Sequence, residues 1–239
     1  MSDKISFIYS PNFSPKKRKP RDIKFIILHY TGMKNDKESI KKLTDIKSSV
    51  SCHYYINQNG KILAMVPDLY VAWHAGKSKW KKLNLLNKYS IGIEISNPGH
   101  EHNYKKFSNK QIISLKKILH FLIRKYQIKI KNILGHSDIA PTRKKDPGEK
   151  FPWKDLSKKK LCIWHTLNEN KIMKFRNKKI SSIKEKLFFK NLNKIGYDTS
   201  NIIKNRKYVI DAFHRRFRPE LINSNIDEES YLISKNLIS

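Results

Sequence analysis

The clearest periodicity in the chain runs over residues 108–126, where Ile112, Leu115, Ile118, Leu119, Leu122, Ile123 and Tyr126 recur three or four positions apart. That spacing gathers the apolar side chains into one stripe and predicts a helix packed on a core. Ser108 and Gln111 form a capping box at its start, so orphan backbone N–H groups of the first turn have side-chain acceptors. A shorter version, with Ile40, Leu43 and Ile46 on one side, predicts a helix over residues 37–47. Elsewhere the period changes. Ile23 to Thr31 holds a short apolar run bounded by polar residues, which reads as a buried strand feeding a loop. Between Tyr89 and Asn97, Ile91, Ile93 and Ile95 share one face of a strand, leaving Gly92 and Glu94 on the other. Residues 50–57 and 61–66 read as two strands joined at Asn59-Gly60, and residues 128–134 as a short strand ahead of His136.

Past Trp153 the pattern weakens. Residues 157–182 are rich in Lys and Asn, without Pro or Gly, and predict a partly helical connector. Three helical patterns follow, over residues 183–195, 200–217 and 227–237, separated by Gly196-Tyr197-Asp198-Thr199 and by Arg218-Pro219. Three short helices can bury one small core. The predicted organisation is a basic extension over residues 1–21, an α/β domain over 22–156, the connector over 157–182 and a small all-α domain over 183–239.

Composition adds two exclusions and one rival. No run of eighteen apolar residues exists, so no transmembrane segment is predicted. The first twenty-two residues carry Pro11, Pro15 and Pro20 among basic residues and lack an apolar core. They resemble neither a secretory signal nor a lipoprotein anchor, so the expected location is the cytoplasm, with non-classical export or a host nucleus as alternatives. The two cysteines, Cys52 and Cys162, lack metal-ligand spacing. The net charge of +31, and the cluster from Lys16 to Arg21, raise nucleic acid as a second partner class. Basic residues nonetheless spread along the whole chain, which argues against one dedicated patch.

The candidate chemistry begins in Gly135 to Trp153, a turn-rich loop that carries His136, Lys144 and Asp146. Imidazole and carboxylate suit zinc, and a lysine beside a metal can neutralise charge developing on an attacked carbonyl. His29 ends the first buried strand, where ligands gather beyond strand carboxyl ends. Two imidazoles and one carboxylate leave zinc an open fourth position for water, and Glu94 can take that water's proton. Asp138 competes with Asp146 as ligand but also suits a turn stabilised through its own backbone. His53, in a strand, reads as a structural hydrogen-bonding residue. Trp73 and His74, beside Ala75-Gly76, suit contact with a sugar or peptide ring.

Taken in order, His29-Tyr30-Thr31, Ser51-Cys52-His53-Tyr54-Tyr55-Ile56, Ala72-Trp73-His74-Ala75-Gly76, Asn87 with Ser90-Ile91-Gly92-Ile93-Glu94, and Gly135-His136-Ser137-Asp138-Ile139-Ala140-Pro141 through Asp146-Pro147-Gly148 resemble the bacterial zinc-dependent N-acetylmuramoyl-L-alanine amidases of the type-2 family. Their fold is shared with peptidoglycan-recognition proteins and phage lysozyme-amidases. The resemblance implies a mixed central β-sheet flanked by helices, with Zn2+ held by His29, His136 and Asp146. It implies Glu94 and Lys144 as catalytic side chains; Trp73, His74, Asn87 and Arg143 are the expected substrate contacts. The implied reaction is hydrolysis of the amide between N-acetylmuramic acid, or its 1,6-anhydro form, and L-alanine in peptidoglycan or muropeptides. Gly196-Tyr197-Asp198, Ala212-Phe213 and Phe217-Arg218-Pro219 are similar to the three-helix peptidoglycan-binding module behind some of these amidases. The runner-up is a muropeptide-binding protein without catalysis; such binders commonly lack a zinc ligand, whereas every ligand position is filled here.

Overall fold

The computed structural model describes residues 5–239. Its strands are β1 (Ser6–Phe7), β2 (Phe13–Ser14), β3 (Phe25–Tyr30), β4 (Tyr54–Ile56), β5 (Ile62–Ala64), β6 (Val71–Ala72), β7 (Lys79–Trp80), β8 (Leu83–Asn84), β9 (Ser90–Ile95) and β10 (Ile133–Gly135). Its helices are α1 (Asp36–Thr44), α2 (Asn109–Tyr126), α3 (His136–Ile139), α4 (Trp153–Lys158), α5 (Glu169–Met173), α6 (Ser182–Ile195), α7 (Ile202–Phe217) and α8 (Glu228–Asn236). Six strands form a sheet in the order β1-β5-β4-β9-β3-β10. All neighbours run parallel except the β4–β5 hairpin, so the sheet is mixed, as expected.

Alternation along the central strands sorts side chains into two cores. Ile26 and Leu28 of β3 join Ile91, Ile93 and Ile95 of β9 beneath α2, whose Leu115, Ile118, Leu119 and Leu122 close that face. Phe25 and Ile27 turn the other way, with Leu134 of β10, into a core completed by Phe188 and Leu192 of α6, Val209, Ile210 and Phe213 of α7, and Ile233 of α8. The C-terminal helices therefore cover the second face of the sheet. The stretch predicted as a connector packs too, since Leu161 and Cys162 enter the first core and Ile172 the second.

The capping box of α2 is present, with Ser108 accepting from the Gln111 N–H and Gln111 from the Ser108 N–H. Several elements are shorter than the pattern suggested, β4 and β5 among them. A 3-10 turn over Ile130–Asn132 takes up most of the stretch expected as strand, and only Ile133–Gly135 pairs with β3. α1 stops at Thr44 because the Asp45 side chain caps the following 3-10 turn instead. Arg18, within the expected basic extension, is buried: its guanidinium donates to the carbonyls of Asp68, Asn87 and Ser90. Removal from water lowers its pKa to about 10.

Candidate active site

The parallel register of β3 and β9 sets His29 opposite Glu94. His29 follows Phe25 and Ile27 onto the second face, and Glu94 shares that face because Ile93 and Ile95 occupy the first. On the other side of β3, β10 ends at Gly135 opposite Leu28, which delivers His136 beside His29. The loop after α3 returns Asp146 to the same point, held by the Ser137 N–H on the Asp146 carbonyl at 2.8 Å and by the Tyr104 hydroxyl on the Pro147 carbonyl at 2.7 Å.

His29 Nδ1 lies 2.9 Å from His136 Nδ1, and each is 3.0 Å from Asp146 Oδ2. Neighbouring hydrogen bonds assign the protons on both rings. Ser90 Oγ donates to the Leu86 carbonyl at 2.7 Å, so it accepts from His74 Nε2 at 3.2 Å. His74 Nδ1 then accepts from His29 Nε2 at 3.0 Å, which turns the His29 Nδ1 lone pair toward Asp146. His136 Nε2 donates to the Ala75 carbonyl at 3.1 Å, so its Nδ1 also presents a lone pair. Two imidazole lone pairs and a carboxylate oxygen thus face one another without a proton between them. That arrangement is repulsive unless a cation binds them. Among the described residues, His29, His136 and Asp146 form the group able to hold a metal ion, and all three are buried.

Burial, then the nearby His136, lowers the His29 pKa to about 4, so the ring is neutral at neutral pH. Glu94 moves the other way, since burial and the charge of Asp146 push its pKa well above the usual carboxylate range. Its Oε2 is buried and has no hydrogen-bond partner among the described residues.

A cavity of about 120 Å³ opens over this cluster, lined by Tyr30, Trp73, His74, Glu94, Lys144 and Asp146 among others. Of the expected substrate contacts, Trp73 and His74 line it, while two turn elsewhere. Asn87 Oδ1 accepts from the backbone N–H groups of His74 and Ala75, which shapes the loop. Arg143 braces the same loop, its Nη2 donating to the carbonyls of Ala75 and Lys77. His53 is structural, accepting from the Gly92 N–H at 3.0 Å.

Residues 19–149 match the family described as N-acetylmuramoyl-L-alanine amidase. The chain belongs to that family. It is 34% identical over 230 residues to the N-acetylmuramoyl-L-alanine amidase AmiD of Escherichia coli (strain K12), across 90% of this chain and 82% of that protein. The complex of AmiD from E. coli with the substrate anhydro-N-acetylmuramic acid-L-Ala-D-gamma-Glu-L-Lys shares its fold with a TM-score of 0.80, at 31% identity over 94% of this chain and 92% of that one. AmpDh3 from Pseudomonas aeruginosa, in complex with an anhydromuramic pentapeptide, matches with a TM-score of 0.78, at 28% identity over 93% of this chain and 92% of that one. This amidase is therefore a hydrolase acting on the bond between N-acetylmuramic acid and L-alanine.

Sequence reasoning treated His74 as a substrate contact and missed that it orients His29. The available signal was Gly92, because a glycine inside an alternating strand marks a close approach. A Cβ at Gly92 would lie 2.3 Å from His74 Cγ.

Proposed function

We propose that this amidase hydrolyses soluble muropeptides, the 1,6-anhydro forms included, with zinc held by His29, His136 and Asp146. The observation that carries this reading is the convergence of two imidazole lone pairs and one carboxylate oxygen in a buried cluster. Nitrogen and oxygen donors of this kind suit zinc, and three protein ligands leave one position for water or substrate. Zinc, when bound, would polarise the scissile carbonyl and acidify a water.

The chain's own residues supply the rest. Glu94 borders the cavity next to His29 with its proton affinity raised, which fits a carboxyl that takes a proton from water and passes it to the leaving amine. Lys144 borders the same cavity and brings positive charge to the carbonyl oxygen as it becomes an oxyanion. Trp73 and Tyr30 offer aromatic walls to the sugar and the first peptide unit. The soluble anhydro substrate is favoured because two relatives of similar fold were solved with anhydromuramic peptides. A nucleic-acid role through Lys16 to Arg21 loses support, since the Arg18 charge is turned into the protein.

The test is incubation with an anhydromuramyl tripeptide and with intact peptidoglycan, each with and without a chelator, followed by mass analysis of products. Free peptide is expected from the soluble substrate, none after chelation, and recovery on adding zinc. Binding with unchanged substrate mass would sink the hydrolytic reading. Unchanged zinc content in His29→Ala, measured by plasma emission, would remove that residue from the ligand set.

A further inference from the structure

Asp138 lies two residues beyond His136, is 1% exposed, and touches no part of the cavity described above. Its Oδ2 accepts from the Gly135 N–H at 2.8 Å, the local turn bond expected of an aspartate at this position. Its remaining partners come from far along the chain. Tyr197, in the turn between α6 and α7, donates its hydroxyl to Oδ1 at 2.6 Å. Arg216, near the end of α7, donates Nη1–H to Oδ2 at 2.5 Å and Nη2–H to the Ile133 carbonyl of β10 at 2.9 Å. The same guanidinium lies 4.3 Å over the ring of Trp153, and both Arg216 and Tyr197 are almost fully buried.

A buried ion pair is a weak source of net stability, and apolar residues of similar volume often serve as well. It is strongly directional, however, because the planar guanidinium fork accepts few geometries. Here the fork joins β10 to the first turn of α3, the two pieces of backbone between which His136 is mounted. The Ser137 N–H inside that turn holds the Asp146 carbonyl, so the second ligand segment hangs from the same piece of chain. Groups that orient metal ligands from behind commonly alter metal affinity or activity by about 10- to 100-fold when removed.

We propose that Arg216 and Tyr197 are positioning residues for the metal site, acting through Asp138 on the backbone that carries His136 and receives Asp146. On this account the C-terminal helical layer completes the active centre as well as covering the sheet. The inference rests on the reading of His136 and Asp146 as ligands.

The experiment uses the full chain and measures three quantities: zinc affinity by competition with a chromophoric chelator, the visible absorption of the cobalt-substituted protein, and kcat and KM separately. Tyr197→Phe, which removes one hydroxyl, should weaken zinc binding by about 10-fold, shift the cobalt spectrum, and lower kcat with little change in KM. Arg216→Met should weaken zinc by up to about 100-fold, and Arg216→Lys, which keeps a charge beside Asp138, should recover part of that loss. Asn191→Ala breaks a buried hydrogen bond to Ser234 in the same helical layer and serves as the stability control. It should lower Tm without moving the zinc affinity.

Wild-type zinc affinity, cobalt spectrum and kcat in a folded Tyr197→Phe would overturn the inference, as would an equal loss of zinc affinity in Asn191→Ala. If Arg216→Met fails to fold, Tyr197→Phe and Arg216→Lys decide. A wild-type protein with no zinc affinity would overturn the metal-site reading together with the inference, whereas wild-type affinity retained across the variants overturns the inference alone.

Discussion

Asp68 and Glu94 are both acidic side chains drawn out of water, and the protein treats them in opposite ways. Asp68 Oδ1 accepts from the Tyr54 hydroxyl at 2.7 Å, and Oδ2 from Lys125 Nζ at 2.8 Å and the Tyr126 hydroxyl at 2.7 Å. Burial works against that carboxylate, but these donors hold its pKa below the usual value. Glu94 has an oxygen without any partner among the described residues and a pKa pushed well above the usual value. Saturated hydrogen bonding turns a buried carboxylate into a tie between β4, α2 and the loop at Asp68. Withheld hydrogen bonding leaves the other with a raised proton affinity, the property on which its proposed role as proton acceptor rests. Several other buried side-chain atoms, Ser96 Oγ and Arg216 Nε among them, also lack a partner among the described residues, but Glu94 is the carboxylate in that group and borders the cavity over the His29, His136 and Asp146 cluster.

Substitutions at the two carboxylates should therefore separate activity from stability. Glu94→Gln should lower kcat by about 100- to 10,000-fold while zinc content and Tm stay at wild-type values or Tm rises, measured by turnover assay, plasma emission and calorimetry. A lower Tm with intact turnover would place Glu94 in the structural class beside Asp68. Lys144→Met should cost about 100- to 1,000-fold in kcat, with KM much less affected; a change confined to KM would make Lys144 a binding residue instead. Gly92→Ala tests the packing behind the cluster, because the added methyl overlaps the His74 ring. A stability loss of about 1–3 kcal/mol is expected, together with reduced turnover as His29 loses its orienting partner.

Asp68→Asn should give the mirror image of Glu94→Gln. Turnover per folded molecule should be preserved, with a stability loss of about 1–3 kcal/mol at neutral pH. The sign of its pH dependence follows from the lowered pKa. Asp68 contributes stability that is present above its unfolded-state pKa of about 3.9 and is lost as pH falls through the lower folded-state value. The Tm difference between wild type and Asp68→Asn should accordingly shrink on acidification; a constant difference would remove the carboxylate charge from the account.

The same contrast separates what was readable in advance from what was not. His29, His136 and Asp146 were named together through the family resemblance of the motifs around them, since local pattern alone left Asp138 as a rival to Asp146, and the helix at residues 109–126 announced itself through its stripe and its capping box. Glu94 was visible as a carboxylate placed against the grain of a strand. The partners of Asp138 were not visible, because Tyr197 and Arg216 lie 59 and 78 positions away and carry no local pattern that points to it. Arg18 misled for a related reason. Its neighbours Lys16, Lys17, Lys19 and Arg21 suggested an exposed basic run, while three backbone carbonyls from distant segments made one position among them an interior residue.

Local chemistry in the sequence was sufficient to determine the strand alternation, the capped helix and the kinds of donor at the site, while the order of the motifs along the chain carried the resemblance to the family. Those properties depend on spacings of a few residues, which repeat wherever the backbone takes up a helix or a strand. Tertiary structure alone decided which imidazole nitrogen faces Asp146, that His74 stands behind His29, that Asn87 and Arg143 serve a loop, and that the C-terminal helices reach the turn carrying His136. Each of those depends on hydrogen bonds closed between segments far apart in the chain, whose geometry exists only once both cores have packed against the sheet.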